Sequence, residues 1–354
     1  MQDRVVGVGI VGSGSVVQGI HLPTLSRLAD RIEVRHVMDV DLASAQKVAA
    51  RIGARASASV DDLLTDPTIE VVAVCSPHRF HAEQVIAACR AGVPVVLCEK
   101  PFATRREEAE RIAHAAAASG TRLVVGAMHT YDPGWEFVRE RWGDLPETAT
   151  LIRSSIVLPF NDRFEDWSTE VETPIGLPMR DTSTPEARAA VITARILGLG
   201  IHDIPLVRTF LPEWADLEVI AAELLDPLGY AVTLRAGRRV AQLTGSFRDH
   251  GVPEWEFEVV GPRAAMHIEF SPSYVHAGSA VATIIRDGER VVFGPHPENG
   301  YVREWRHAAA LARDPQTPSA SVSDLVDDLA LAVHIADRAG DFIRRSAASE
   351  EGDR

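Results

Sequence analysis

Cysteine, positive charge and long apolar runs are all scarce in this chain. Its three cysteines, Cys75, Cys89 and Cys98, are odd in number and show no C-x-x-C spacing. They supply no redox or metal motif, and their pattern reads as a reduced, cytoplasmic protein. Acidic residues outnumber basic ones by 50 to 36, for a formal net charge of −14. That balance argues against nucleic acid or an anionic membrane as the main partner. No stretch reaches the ~18 apolar residues of a membrane span, and no basic-then-apolar leader precedes the first strand pattern. The histidines lack paired helical spacing with carboxylates, so no metal site is expected.

What is present is ordinary globular chemistry, with 46% hydrophobic and 24% charged residues. The 354 residues suffice for two domains of ~150 residues each. The first part alternates strand and helix patterns, the mark of a parallel sheet with helical crossovers. "VVGVGIV", "IEVRHVM", "EVVAVC", "VPVVLCE" and "RLVVGA" read as its strands, with Cys75 and Cys98 at the ends of neighbouring ones. One helix is predicted from Asp41 to Gly53 and another from His78 to Gly92. A third opens at Thr104, with Glu107 completing a capping box, and closes at Gly120. Beyond the first domain the period changes. "WEFEVV" and "AMHIEF" alternate as half-wet strands, and "TIIRDGERVVF" is a hairpin turning at Asp287 and Gly288. The run 165–186 reads as a loop, and 301–345 as two terminal helices.

"GVGIVGSGSVVQ" offers two glycine fingerprints. Gly7, Gly9 and Gly12 spell G-x-G-x-x-G, but leave only Val5 and Val6 for the strand that must precede the turn. Shifting to Gly12 and Gly14 frees the whole of "VVGVGIV" for the strand and "GSGS" for the turn. Val16, Val17, Ile20 and Leu25 then form one helix face. The second register fits a helix N-terminus facing a pyrophosphate. Val17 stands where a third small residue is usual, at some cost in closeness of helix to strand. Gly12, Ser13, Gly14, Ser15 and Val16 are thus the candidate phosphate cradle. Asp39 follows the second strand, where an acid bonds the adenosine ribose, and Asp41 is better placed to cap the next helix. Val40 stands where an arginine would suit a 2′-phosphate, so NAD is expected rather than NADP.

"CSPHRFHAEQVIAACRAGVPVVLCEKPFA" resembles the glucose-fructose oxidoreductase/inositol dehydrogenase (Gfo/Idh/MocA) family. Ser76, Pro77 and His81 match its T-P-N-x-x-H segment, with His78 in place of the asparagine. Glu99, Lys100 and Pro101 match its E-K-P. The resemblance implies that Ser76, Pro77, His78, His81, Glu99 and Lys100 line the dinucleotide, and that Lys100 is catalytic. "GIHDIPLV" is similar to the family's D-x-x-x-H-D-x-D segment, which implies His202 as the catalytic base beside Asp203. Gly198 and Pro205 replace the outer two aspartates, so Asp203, or a residue from "MRDTSTPEAR" folding over the pocket, becomes a candidate to hold His202. "GAMHTYDPGW" is similar to a pocket segment through Gly126, Tyr131 and Pro133. Thr130 stands there for the usual arginine, which makes His129 and Tyr131 substrate-contact candidates.

The expected architecture is therefore α/β: a Rossmann domain with a parallel sheet over 1–126, then an α+β domain with an open, mainly antiparallel sheet over 127–354. The resemblance gives the second domain substrate binding and homodimer or homotetramer contacts. It implies hydride transfer between NAD(H) and a secondary alcohol of a small-molecule sugar, cyclitol or polyol. His202 takes the proton and Lys100 polarises the oxygen. NAD-assisted glycoside elimination and a non-catalytic dinucleotide-dependent sensor are the alternatives.

Overall fold

The computed structural model describes residues 4–167, 171, 181–248 and 252–352. Among them no helix is long and apolar enough to cross a membrane. The chain divides into two compact units, with a boundary between Gly126 and Ala127.

The first unit holds a six-stranded sheet in the order β3-β2-β1-β4-β5-β6, every pair parallel. Its strands are β1 Val6–Val11, β2 Ile32–Met38, β3 Arg55–Ser57, β4 Val71–Val74, β5 Val95–Cys98 and β6 Arg122–Val125. All six residues of β1 are buried, as a central strand covered on both faces requires. Strand order reverses between β1 and β4, the point where such sheets take ligands beyond their carboxyl ends. Register aligns Val11 with Met38 and Val74, Val74 with Cys98, and Cys98 with Val125. Gly12, Asp39, Cys75, Glu99 and Gly126 therefore leave the sheet in one row.

The second glycine register is the one that forms. β1 ends at Val11, and Gly12 turns the chain at φ +105°, where a Cβ would meet Cys75 O at 2.8 Å. Val17, Ile20 and Leu25 are buried in the helix that follows and Val16 is half-buried. That helix starts with a π turn, Val17–His21, before α1, Leu22–Ser26. Pro23 has no N–H for the carbonyl four residues back, which accounts for the wide turn. Asp41 caps α2, Leu42–Ile52, and Gly53 closes it left-handed. α3 is Val60–Leu64 and α4 is His81–Arg90.

Two expectations need correction here. α5 spans Arg106–Ser119, two residues inside the proposed Thr104 start. Glu108, not Glu107, accepts from both the Thr104 N–H and hydroxyl, because Arg105 takes the N-cap position and Glu108 becomes its third helical residue. The domain limits also change, since Tyr301–Leu329 packs with the first unit. Arg313 of the helix Gly300–Arg313 donates to the Arg4 and Arg31 carbonyls, and Arg122 donates to those of Pro315 and Thr317.

The second unit holds an eight-stranded sheet, β14-β13-β12-β11-β7-β10-β9-β8, antiparallel except for the β7–β10 pair. Its strands are β7 Leu151–Leu158, β8 Glu218–Leu225, β9 Gly229–Ala236, β10 Arg239–Phe247, β11 Glu254–Val260, β12 Ala264–Glu269, β13 Val281–Arg286 and β14 Glu289–Phe293. Alternation sets its faces: Trp255, Phe257 and Val259 are buried, while Glu254, Glu256 and Glu258 look outward. Asp287 and Gly288 make the hairpin turn at φ 52° and 84°. Helices α6 Pro133–Arg139, α7 Leu145–Thr148, α8 Asn161–Trp167, α9 Pro185–Gly198 and α10 Ile204–Thr209 follow in chain order; part of α8 clusters with the first unit. The long last helix, Val322–Gly352, takes a Thr193 hydroxyl bond at Ala336 O. Most of the expected 165–186 loop, namely 168–170 and 172–180, lies outside the described residues.

Candidate active site

The first unit gathers its candidate residues along the carboxyl row. Asp39 is not a helix cap. Its Oδ2 accepts from the Ser13 N–H and hydroxyl, both at 2.8 Å, and its Oδ1 accepts from the Asp41 N–H at 3.0 Å. Three of about four carboxylate lone-pair sites are thus taken, leaving room for one hydroxyl donor. Gly14 is exposed, and a Cβ there would meet nothing within 4 Å, so the loop has open space in front of it. Val40 beside Asp39 is 86% exposed and offers no charge to a 2′-phosphate. Glycine loop, open space and ribose-facing acid fit a dinucleotide.

Glu99, Lys100 and Pro101 follow β5. Glu99 Oε1 lies 2.9 Å from His21 Nε2, and Oε2 accepts the Lys100 N–H at 3.1 Å. Burial raises the Glu99 pKa, but the hydrogen bond and charge of His21, then the Lys100 charge and N–H, outweigh it and lower the pKa. Lys100 is half-buried, and loss of water lowers its ammonium pKa, with Glu99 opposing. It is not the freely hydrated surface lysine of an exposed ion pair.

Behind Glu99 stands a pair of residues 284 positions apart in the chain. The Trp305 N–H donates to His21 Nδ1 at 3.1 Å, and both side chains are fully buried. Burial disfavours a charged His21 ring, but Cys75 and Glu99 outweigh it and raise its pKa to about 10. The indole decides the matter. It can only donate, so Nδ1 keeps its lone pair and the ring is neutral, with Nε2–H directed at Glu99.

His81 was expected at the dinucleotide but is turned inward. It is buried, with Nδ1 2.8 Å from Pro101 O and Nε2 2.7 Å from Ser76 O. Both nitrogens are spent on main chain, so the ring ties the Ser76 segment to the E-K-P turn. Ser76 donates its hydroxyl to Gln84, and Pro77 and His78 are exposed. Cys75 directly follows β4 and Cys98 ends β5, as read, and both are free thiols whose pKa burial pushes up. Ser57, His36 and Asp66 imitate a nucleophilic triad. Ser57 donates its proton to Ser59 O at 3.1 Å, so His36 must donate to Ser57, the reverse of activation.

The second unit brings together His129, His202 and Asp203. Asp203 heads α10 but makes no side-chain cap bond. Its Oδ1 takes His129 Nδ1–H at 2.8 Å, Oδ2 takes the Ser154 hydroxyl at 2.6 Å, and Trp255 Nε1–H reaches both oxygens at 3.1 Å. Ser154 and Trp255 share the buried sheet face, because β7 pairs Ser154 with Phe257 and Ile156 with Trp255. His129 stacks on Phe270 at 3.7 Å, and His202 lies edge-on to Trp255 at 5.1 Å. The expectation that Asp203 would orient His202 is corrected: the carboxylate orients His129, whose ring lies 6.2 Å from that of His202. Burial, then the Asp203 charge, pushes up the pKa of the adjacent Tyr230 phenol. Tyr131, in the same 3-10 turn as His129, is half-buried.

A family model described as an oxidoreductase family with an NAD-binding Rossmann fold matches residues 6–127. The chain is 40% identical over 223 residues to inositol 2-dehydrogenase 3 of Saccharopolyspora erythraea, covering 63% of this chain and 57% of that protein. It is 39% identical over 135 residues to inositol 2-dehydrogenase of Pseudomonas savastanoi pv. phaseolicola, covering 37% and 40%. Against that of Acidothermus cellulolyticus it is 32% identical over 244 residues, covering 66% and 70%. The chain thus matches about two fifths to three fifths of the first two relatives' length. Among solved structures, KijD10, a 3-ketoreductase from Actinomadura kijaniata in complex with NADP and TDP-benzene, superposes with TM-score 0.71 at 22% identity, covering 94% of this chain and 97% of that one. UDP-N-acetylglucosamine 3-dehydrogenase GnnA from Acidithiobacillus ferrooxidans gives 0.72 at 18% identity, covering 96% and 99%. These structural likenesses establish the fold. With its glycine loop, its E-K-P turn and the relative matched over 70% of its length, the chain belongs to the Gfo/Idh/MocA family of NAD-binding oxidoreductases.

Proposed function

We propose that this protein oxidises a secondary alcohol of a cyclitol, sugar or related polyol with NAD, and runs the reverse reduction. One observation carries the reading: Asp39, the glycine turn and Glu99 leave one sheet in a single row, followed by the half-buried cation of Lys100. Asp39 receives a ribose hydroxyl and, by its charge, disfavours a 2′-phosphate. NAD held at the glycine turn and Asp39 would supply the hydride acceptor for the carbinol carbon. Lys100 steadies the oxygen as negative charge develops on it. The hydroxyl proton passes to a histidine base, so that alcohol and NAD would become ketone, NADH and imidazolium. Inositol dehydrogenase relatives support a cyclitol, and the sugar ketoreductase and dehydrogenase neighbours support a ring hydroxyl more broadly. The three free cysteines suit a cytoplasmic setting. The outward face of the second sheet, with Arg153 bonded to Glu258, is the proposed homodimer or homotetramer surface, which light scattering checks.

The test is a panel of inositols and sugars with NAD, following NADH absorbance. Net NADH with one or more alcohols supports the reading. Leaving-group release without net NADH would show elimination instead, and NAD binding without turnover on any compound would show a sensor.

A further inference from the structure

Lys100 is reached by a buried chain of contacts that begins two hundred residues away. Trp305 donates to His21 Nδ1 at 3.1 Å, His21 donates to Glu99 Oε1 at 2.9 Å, and Glu99 Oε2 takes the Lys100 N–H at 3.1 Å. Trp305 and His21 are fully buried, and their rings meet edge to face at 5.7 Å. Tyr301 closes the other side of His21 edge-on at 6.3 Å. We propose that Trp305 is a positioning residue that sets the charge on Lys100 by locking His21 in its neutral tautomer, so that the Glu99 carboxylate remains the counter-charge of Lys100. The inference rests on the reading of Lys100 as the group that steadies the substrate oxygen.

An indole N–H cannot accept, so a ring that receives it on Nδ1 has one proton to give, and Glu99 gets it. A neutral His21 bonds Glu99 without cancelling its charge. Without the indole, Nδ1 could bind a proton, and the Glu99 carboxylate would favour the resulting ion pair against the cost of burial. Glu99 would then be neutralised from behind, and Lys100, already depleted of water, would lose its proton more readily. The other titratable groups here do not share this role. Burial pushes up the pKa of the Cys75 and Cys98 thiols. Burial and the Lys100 charge push the His78 pKa down to about 4, and His81 is turned to the Pro101 and Ser76 carbonyls rather than to Glu99.

The chain contains only two lysines, Lys47 and Lys100, so Lys100 can be titrated directly. Reductive methylation of the full-length Lys47→Arg protein with 13C-formaldehyde leaves one labelled lysine for NMR. Trp305→Phe should lower the Lys100 pKa by about one pH unit, the scale of losing a nearby counter-charge. His21→Gln, a neutral donor, should leave it unchanged, and the Trp305→Phe/His21→Gln pair should restore it. An unmoved Lys100 in Trp305→Phe, or a shift that persists in the double variant, would overturn the proposal. A second measurement needs no substitution: 15N NMR of the unaltered protein should show His21 as the neutral Nε2–H tautomer at pH 7, and an imidazolium there would overturn it. None of these readouts requires turnover. Failure to form NADH would therefore remove the proposed function without touching the Trp305–His21 link.

Discussion

His129 gives its Nδ1 proton to Asp203 across 2.8 Å, and Asp203 is held in turn by Ser154 and Trp255. The bond fixes the tautomer of His129 and leaves Nε2 as the nitrogen with a lone pair. A general base needs such an orienting partner, because the wrong tautomer has nothing to accept a proton with. His129 is therefore a candidate base beside the motif-matched His202. His129→Gln is expected to lower kcat by ~10²-fold or more, and His202→Gln to lower it less. A normal kcat in His129→Gln, with the loss found in His202→Gln, would return the role to His202.

Lys100→Met is expected to leave NAD affinity nearly unchanged and to reduce kcat by at least ~10²-fold, as when an electrostatic stabiliser is removed. The sign of the pH effect follows from its environment. Burial lowers the Lys100 pKa, so the active ammonium is lost below the ordinary lysine range of about 10.4 as pH rises. The alkaline limb of kcat/KM should lie beneath that value and disappear in the variant. Unaltered turnover in Lys100→Met would leave the residue without a catalytic role.

The sequence was legible where a pattern must repeat, and illegible where distant residues meet. "VVGVGIV" had to be strand because only that choice leaves a helix after the turn, and Val17 and Ile20 buried as one face. Ser154 carried a signal that went unused: it sits between Ile152 and Ile156 on an apolar face, where a polar group needs a partner. The Thr104 cap was misplaced by one position because nothing local distinguishes Glu107 from Glu108 as its acceptor. His21 and Trp305 are 284 residues apart, and no spacing rule reaches that far. His129 stood out only as a departure from its motif, and its partner, 74 residues on, needed the fold.

Asp39→Ala should weaken NAD more than NADP. The carboxylate both receives a ribose hydroxyl and repels a 2′-phosphate, so its loss removes a contact from one dinucleotide and a repulsion from the other. Ser13, which gives both its N–H and its hydroxyl to Asp39, loses both partners as well, so some general loss of affinity is expected in addition. Fluorescence titration with the two dinucleotides measures the ratio. An equal loss for both would place Asp39 away from the ribose.

Gly198 is where the family's aspartate is missing. It is the last residue of α9, and among the described residues a Cβ there meets nothing within 4 Å. Gly198→Ala should therefore stabilise the protein by roughly 0.4–1 kcal/mol through the lost freedom of the unfolded glycine. In Gly198→Asp the same gain is offset by an anion at a helix C-terminus, which costs about 0.3–1 kcal/mol. Thermal unfolding should then show the alanine variant above the parent and the aspartate variant close to it. Turnover separates the two histidines a second time. An aspartate four residues before His202 stands where the family's motif places the partner of that ring, so it should raise kcat if His202 accepts the proton. With His129, oriented by Asp203, as the base, kcat is expected to stay where it is. A several-fold gain in Gly198→Asp, absent in Gly198→Ala, would make His202 the base.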